Sequence, residues 1–81
     1  VNWQHSNRSK ADYRHAPKRI QKAFDKQAQF LAANLLHPSL HAKKYDEAND
    51  IWQARVNQDW RFYFRIKDGA YIIAAIVPHP K

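Results

Sequence analysis

The apolar positions of this chain change period near its middle. Between Pro17 and Leu36, Ile20, Ala23, Phe24, Phe30, Leu31 and Leu35 recur on one helical face, with Gln27 and Asn34 as polar positions in the same stripe. Pro17 suits the first turn of that helix, where a missing N–H costs nothing. His37-Pro38 ends it, because a residue before proline is pushed out of the α region. Lys18, Lys22 and Lys26 fall four apart and form a solvated stripe elsewhere on the helix. Upstream, Val1 to His5 alternates weakly and reads as a short strand. Ser9 is placed to cap a short helix over residues 10–15.

From residue 51 the period becomes two. Trp52, Ala54 and Val56 alternate with Ile51, Gln53 and Arg55. After the short turn Asn57-Gln58-Asp59, Trp60, Phe62, Phe64 and Ile66 alternate with Arg61, Tyr63 and Arg65. Asp68-Gly69 is a two-residue hairpin signal. Tyr71 to Val77 is apolar enough for a central strand, and Pro78 and Pro80 end it. His37 to Asp50 reads as a polar connection. The expected architecture is α+β, with N-terminal helices packed on one face of a three- to four-stranded antiparallel sheet. Trp60, Phe62, Phe64 and Ile66 supply the face that meets the long helix.

With 81 residues the chain is read as one small domain, 1–81, too small for a deep cleft between lobes. No apolar run approaches the ~20 residues of a membrane span. There are no cysteines, which excludes disulfides, thiolate metal sites and a cysteine nucleophile, and fits a reducing, cytoplasmic setting. Nothing at the start resembles a secretion leader, and Val1 in place of Met implies a processed or missing N-terminus. One glycine cannot build a Gly-rich phosphate loop. His37 and His41 are four apart, but Pro38 prevents the helix that would pair them on a metal. No metal or cofactor is expected.

Charge narrows the partners. Fourteen Lys and Arg against seven Asp and Glu give +7, with a pI near 10.0. A field this strong on a short chain points to nucleic acid, an anionic surface or an acidic protein. Alternation along a strand sends Arg61, Tyr63 and Arg65 to the side away from the core, and Gln53 and Arg55 with them. Two readings fit. The arginines grip phosphate bidentately while Tyr63 stacks on a base, or they are spread for solubility and paired with Asp59 and Asp68. His79, near Lys81, follows the last strand and reads either as a proton-transfer group, a role open to histidine side chains in general, or as a surface residue. Lys43 and Lys44 add two cations before the first predicted strand of the meander.

Several of these pieces together resemble the RelE/ParE superfamily of type II toxins. They are the helical stretch ending in His37-Pro38-Ser39-Leu40, the Lys43-Lys44 pair, the segment from Asp50 to Arg65, Asp68-Gly69, and the ending Ile76 to Lys81. The run Trp52-x-x-Arg55-Val56-Asn57-x-x-Trp60-Arg61 looks most like the HigB branch. The resemblance covers nearly the whole chain and implies a microbial-RNase-like fold. It also implies a ribosome-dependent mRNA endonuclease and a cognate antitoxin partner. Carried over by position, it implies Arg61 and Arg55 as phosphate clamps, His79 as proton-transfer group and Lys43 or Lys44 as a further cation. Arg65, Tyr63, Gln53 and Lys81 are expected to touch RNA. The same superfamily includes ParE-like gyrase inhibitors, and a non-catalytic RNA-binding module is a third reading.

Overall fold

A computed structural model describes residues 3–79. Strand β1 (Trp3–His5) leads into helix α1 (Asn7–His15) and the longer α2 (Lys18–Ala33). A single 3-10 turn (Pro38–Leu40) then precedes β2 (Lys43–Asp46), β3 (Ile51–Arg55), β4 (Trp60–Lys67) and β5 (Ala70–Pro78). The strands form one sheet in the order β1-β5-β4-β3-β2. β1 runs parallel to β5, and the other neighbours are antiparallel.

Most of the helix stripe read from the sequence is buried, with Ala28 joining it and Asn34 left exposed. Ile20, Phe24, Ala28 and Leu31 are fully buried and pack with Phe62, Phe64, Ile73 and Leu40. Each large side chain so buried contributes roughly 1.5–3 kcal/mol. Phe24 is the hub. Its ring meets Trp3 and Phe62 edge-on at 5.5 and 5.2 Å and stacks on His5 at 5.6 Å.

Sequence and structure part company at the element ends. Ser6, not Ser9, caps α1: its backbone is extended and its Oγ accepts the Ser9 N–H at 3.1 Å. Ser9 is buried one turn later against His5 Nδ1, at 2.7 Å. α2 stops at Ala33, not Leu36, because Asn34 turns extended and its Oδ1 takes the Leu36 N–H instead.

The sheet has five strands and is mixed, where three or four antiparallel strands were expected. The extra one, β2, lies in the stretch read as a connection. It is an edge strand with one neighbour, so its half-exposed Lys-Lys-Tyr-Asp carries little apolar signal. β1 pairs with β5 only from Trp3 to His5. Further along, Asp12 of α1 takes over the edge, and its Oδ2 accepts the Ile76 N–H at 3.0 Å.

Ile66 was expected in the core but is 38% exposed, one residue pair from the Asp68-Gly69 turn. That turn has positive φ at both residues, as a tight hairpin of this twist requires. A register shift at Tyr63/Phe64 explains β5. Its residues in the core cluster run Tyr71, Ile73, Ile76, a spacing of two and then three, with small Ala74 and Ala75 at the irregularity.

Burial pushes the His5 imidazole below its ordinary value, and Lys10 adds to this while Asp25 opposes it. The unfolded chain therefore takes up a proton at position 5 before the folded one does. The stability linked to His5 is complete above about pH 6.5 and is lost as pH falls through the histidine range. Thermal midpoints between pH 7.5 and 5.5 should fall for the wild type. The slope should be shallower in His5→Gln, and equal slopes would remove His5 as the cause.

Candidate nucleic-acid interface

Antiparallel connection brings four chain segments to one end of the sheet: the start of β2, the end of β3, the start of β4 and the end of β5. Arg55 and Arg61 are direct cross-strand partners there. They line a cleft of about 440 Å3 with His41, Lys43, Gln53 and His79. A second hollow of about 590 Å3 adjoins it, sharing His41, Arg55 and Arg61 and adding Lys26 of α2 and Gln58. The cleft is lined by cations and imidazoles and holds no carboxylate among its lining residues.

Each wall is held by a specific contact. Buried Gln27 of α2 donates from Nε2 to the carbonyls of Ser39 and Arg55, at 3.0 and 2.9 Å. Its Oε1 accepts from Ser39 Oγ at 3.3 Å. One amide thus ties the helix to both the loop that carries His41 and the end of β3. His37, stacked on Phe30 at 3.9 Å, braces the same loop by accepting the Ser39 N–H at 3.2 Å. Asn57 closes the β3–β4 turn, its Oδ1 accepting the N–H groups of Asp59 and Trp60, both at 2.9 Å. The His79 N–H donates to the Asp59 carbonyl at 2.7 Å, so the residue after β5 is fastened to that turn.

Arg61 is half-buried, and its Nη1 donates to the carbonyls of Asn57 (2.7 Å), Trp60 (3.0 Å) and Gln58 (3.2 Å). Its Nε and Nη2 have no partner among the described residues. Arg55 is exposed, with no side-chain hydrogen bond or ion pair among them either. Neither arginine pairs with Asp59 or Asp68. The cleft can therefore offer two guanidinium groups, one ammonium and two imidazoles to an anion.

The sequence-derived set does not all meet here. Arg55, Arg61, His79, Lys43 and Gln53 come together. Lys44 does not: it pairs with Trp52 on the helix side of the sheet, lies 5.0 Å over that indole and is tied to Asp50. The hydrogen bond it donates to the Asp50 carboxylate holds the Lys44 ammonium above its ordinary value. Arg65 shares the open face, but four residues along the strand place it roughly 13 Å from Arg61. It lines a different hollow with Gln4 and Asp50. Nearby Asp46 sits below the usual carboxylate value, chiefly through its bonds from Asn49, with Arg65 adding to the effect. Tyr63 is between the two ends, its hydroxyl accepting from Gln53 Nε2 at 3.1 Å. Lys81 lies outside the described residues.

His41 was missed. The sequence offers it only as a metal partner of His37, and no local spacing ties it to Arg55. Its left-handed backbone (φ 47°, ψ 42°) directs the chain from the 3-10 turn into β2. Among the described residues no three His, Asp or Glu side chains cluster as metal ligands.

Gln27→Leu removes the donor of two carbonyls and the acceptor of a hydroxyl. It should cost about 2–4 kcal/mol in denaturant melts, with faster amide exchange at residues 39–41 and 55–57. A loss below half a kcal/mol would show that water replaces the amide.

Two helices lie on a mixed five-stranded sheet whose open face carries the basic cleft, and solved structures of toxins share this fold. Neither a protein-family model nor a curated protein sequence matches the chain. Solved structures do. A YoeB/ParE toxin from Agrobacterium tumefaciens superposes with a TM-score of 0.81 at 12% identity, covering 99% of this chain and 100% of that one. The YoeB dimer from Staphylococcus aureus gives 0.81 at 19% identity, covering 99% and 98%. The toxin–antitoxin complex RelBE2 from Mycobacterium tuberculosis gives 0.78 at 21% identity, covering 96% of each chain.

Proposed function

We propose that this chain is the toxin of a type II toxin–antitoxin pair and cuts mRNA on the ribosome, in the cytoplasm. The observation that carries the reading is the opposed pair Arg55 and Arg61, flanked by His41 from the β2 side and His79 from the β5 side. Cleavage by transesterification needs those parts. The ribose 2′-OH gives its proton to one imidazole as the O2′–P bond forms. The P–O5′ bond breaks, and the departing oxygen takes a proton from the other imidazole. The guanidinium groups stabilise the charge that builds on the phosphoryl oxygens. Products are a 2′,3′-cyclic phosphate and a free 5′-hydroxyl. Lys43 adds a cation at the mouth of the cleft.

The solved relatives include complexes with the antitoxins YefM and DinJ, which supports an antitoxin partner here. An acidic segment would cover the same cleft by charge complementarity and order as it binds. Co-purification with the product of the neighbouring reading frame tests that partner.

The decisive experiment maps transcript ends in a translating extract given the purified protein. Cuts within ribosome-bound codons are expected, falling about a hundred-fold or more in His79→Ala and in His41→Ala. Growth arrest with intact transcripts and blocked DNA supercoiling would overturn the nuclease reading in favour of a gyrase inhibitor.

A further inference from the structure

We infer that a hollow next to the cleft, walled by Tyr45 and Tyr63, holds the base of the nucleotide adjoining the scissile phosphate. The inference rests on the nuclease reading and extends it to a base-binding subsite. The hollow, of about 290 Å3, is lined by Arg8, Tyr45, Ile51, Tyr63, Ala75 and Val77. That lies at the bottom of the range for small-molecule pockets and suits one ring system.

Three observations point to a base. Tyr45, a residue the sequence did not single out, is 60% exposed although large and apolar. Alternation along edge strand β2 places it on the open face with Lys43, at the register shift between Lys44 and Asp46, and its ring meets Tyr63 at 4.9 Å with planes 61° apart. Tyr63 is itself fixed, because its hydroxyl is bonded to Gln53, which lines the arginine cleft. Tyr63 therefore acts as a wall, and Tyr45 offers the free ring face.

Position supplies the rest. Tyr63 is two residues from Arg61 on one strand, roughly 7 Å, about one step along an extended single strand. Arg8, on α1 across the hollow, is largely exposed and among the described residues is held only by a 3.5 Å ion pair with Asp12. It is available to the next phosphate. The lining offers apolar surface and a ring face in place of a set of hydrogen-bond donors, so the base is held by stacking and shape. Purines, with the larger ring, are favoured over pyrimidines.

The test uses a non-cleavable 2′-O-methyl hexanucleotide of adenines and the full chain at low salt, followed by NMR and calorimetry. Upfield shifts of the Tyr45 ring protons are expected alongside shifts at Arg55 and Arg61. Tyr45→Ala should weaken binding about ten- to a hundred-fold, and Tyr45→Phe should restore it. Abasic oligonucleotides should bind wild type and Tyr45→Ala alike. Shifts confined to the arginines, or an abasic oligonucleotide that moves Tyr45 equally, would overturn the base subsite and leave the nuclease reading standing. No shift at either place would overturn the subsite, and the nuclease reading falls separately if transcripts stay intact in the translating extract.

Discussion

Arg61→Ala should lower cutting of ribosome-bound mRNA by about a hundred- to a thousand-fold, the scale of removing one preorganised donor to a developing oxyanion. Arg61 is singled out over Arg55 because its fork is divided. Nη1 is committed to three carbonyls of the β3–β4 turn, which fixes where Nε and Nη2 stand. Arg61→Lys should therefore recover little, since an ammonium has neither the planar fork nor the reach to hold turn and phosphate together. Primer extension on transcripts from a translating extract reads both variants. A thermal melt run beside it separates lost chemistry from a loosened turn. Cutting within tenfold of wild type in Arg61→Ala would pass the main role to Arg55.

The largest effect on stability is expected from Phe24→Ala. The side chain projects from α2 and is fully buried against α1, β1 and β4, in contact with Trp3, His5, Tyr13 and Phe62. Truncating a buried phenylalanine costs about 3–5 kcal/mol. A chain of 81 residues has of order 4–12 kcal/mol in total. The variant should melt at least 15 °C lower, or fail to fold at 37 °C. Phe24→Leu, which keeps most of the volume, should lose less than half as much. Similar losses in both would mean that the aromatic contacts, rather than the volume, hold this junction.

The second half of the chain was legible because its strands have one wet face and one dry face. Period two then names the core side, and Arg55, Gln53, Arg61 and Tyr63 follow on the other. Arg65 obeyed the same alternation, yet alternation says which face a residue shares and nothing of distance along it. Lys44 shows the complementary limit. Two adjacent lysines on a strand must point to opposite sides, and the sequence could not reveal that they lay on a strand at all, since an edge strand needs no apolar signature. His41 was out of reach for another reason. It joins the cleft through Gln27, a buried amide that bridges elements far apart in sequence, and such bridges leave no periodic trace.

Two guanidinium groups directly across a strand pair repel, at a cost of roughly 0.2–1 kcal/mol. The sheet tolerates this at its most polar end, where Gln27, Asn57 and Asp59 tie the backbone down. Any polyanion settling between the two relieves that repulsion. RNA and an acidic protein segment would thus each tighten the same strands, and the two could not occupy them together.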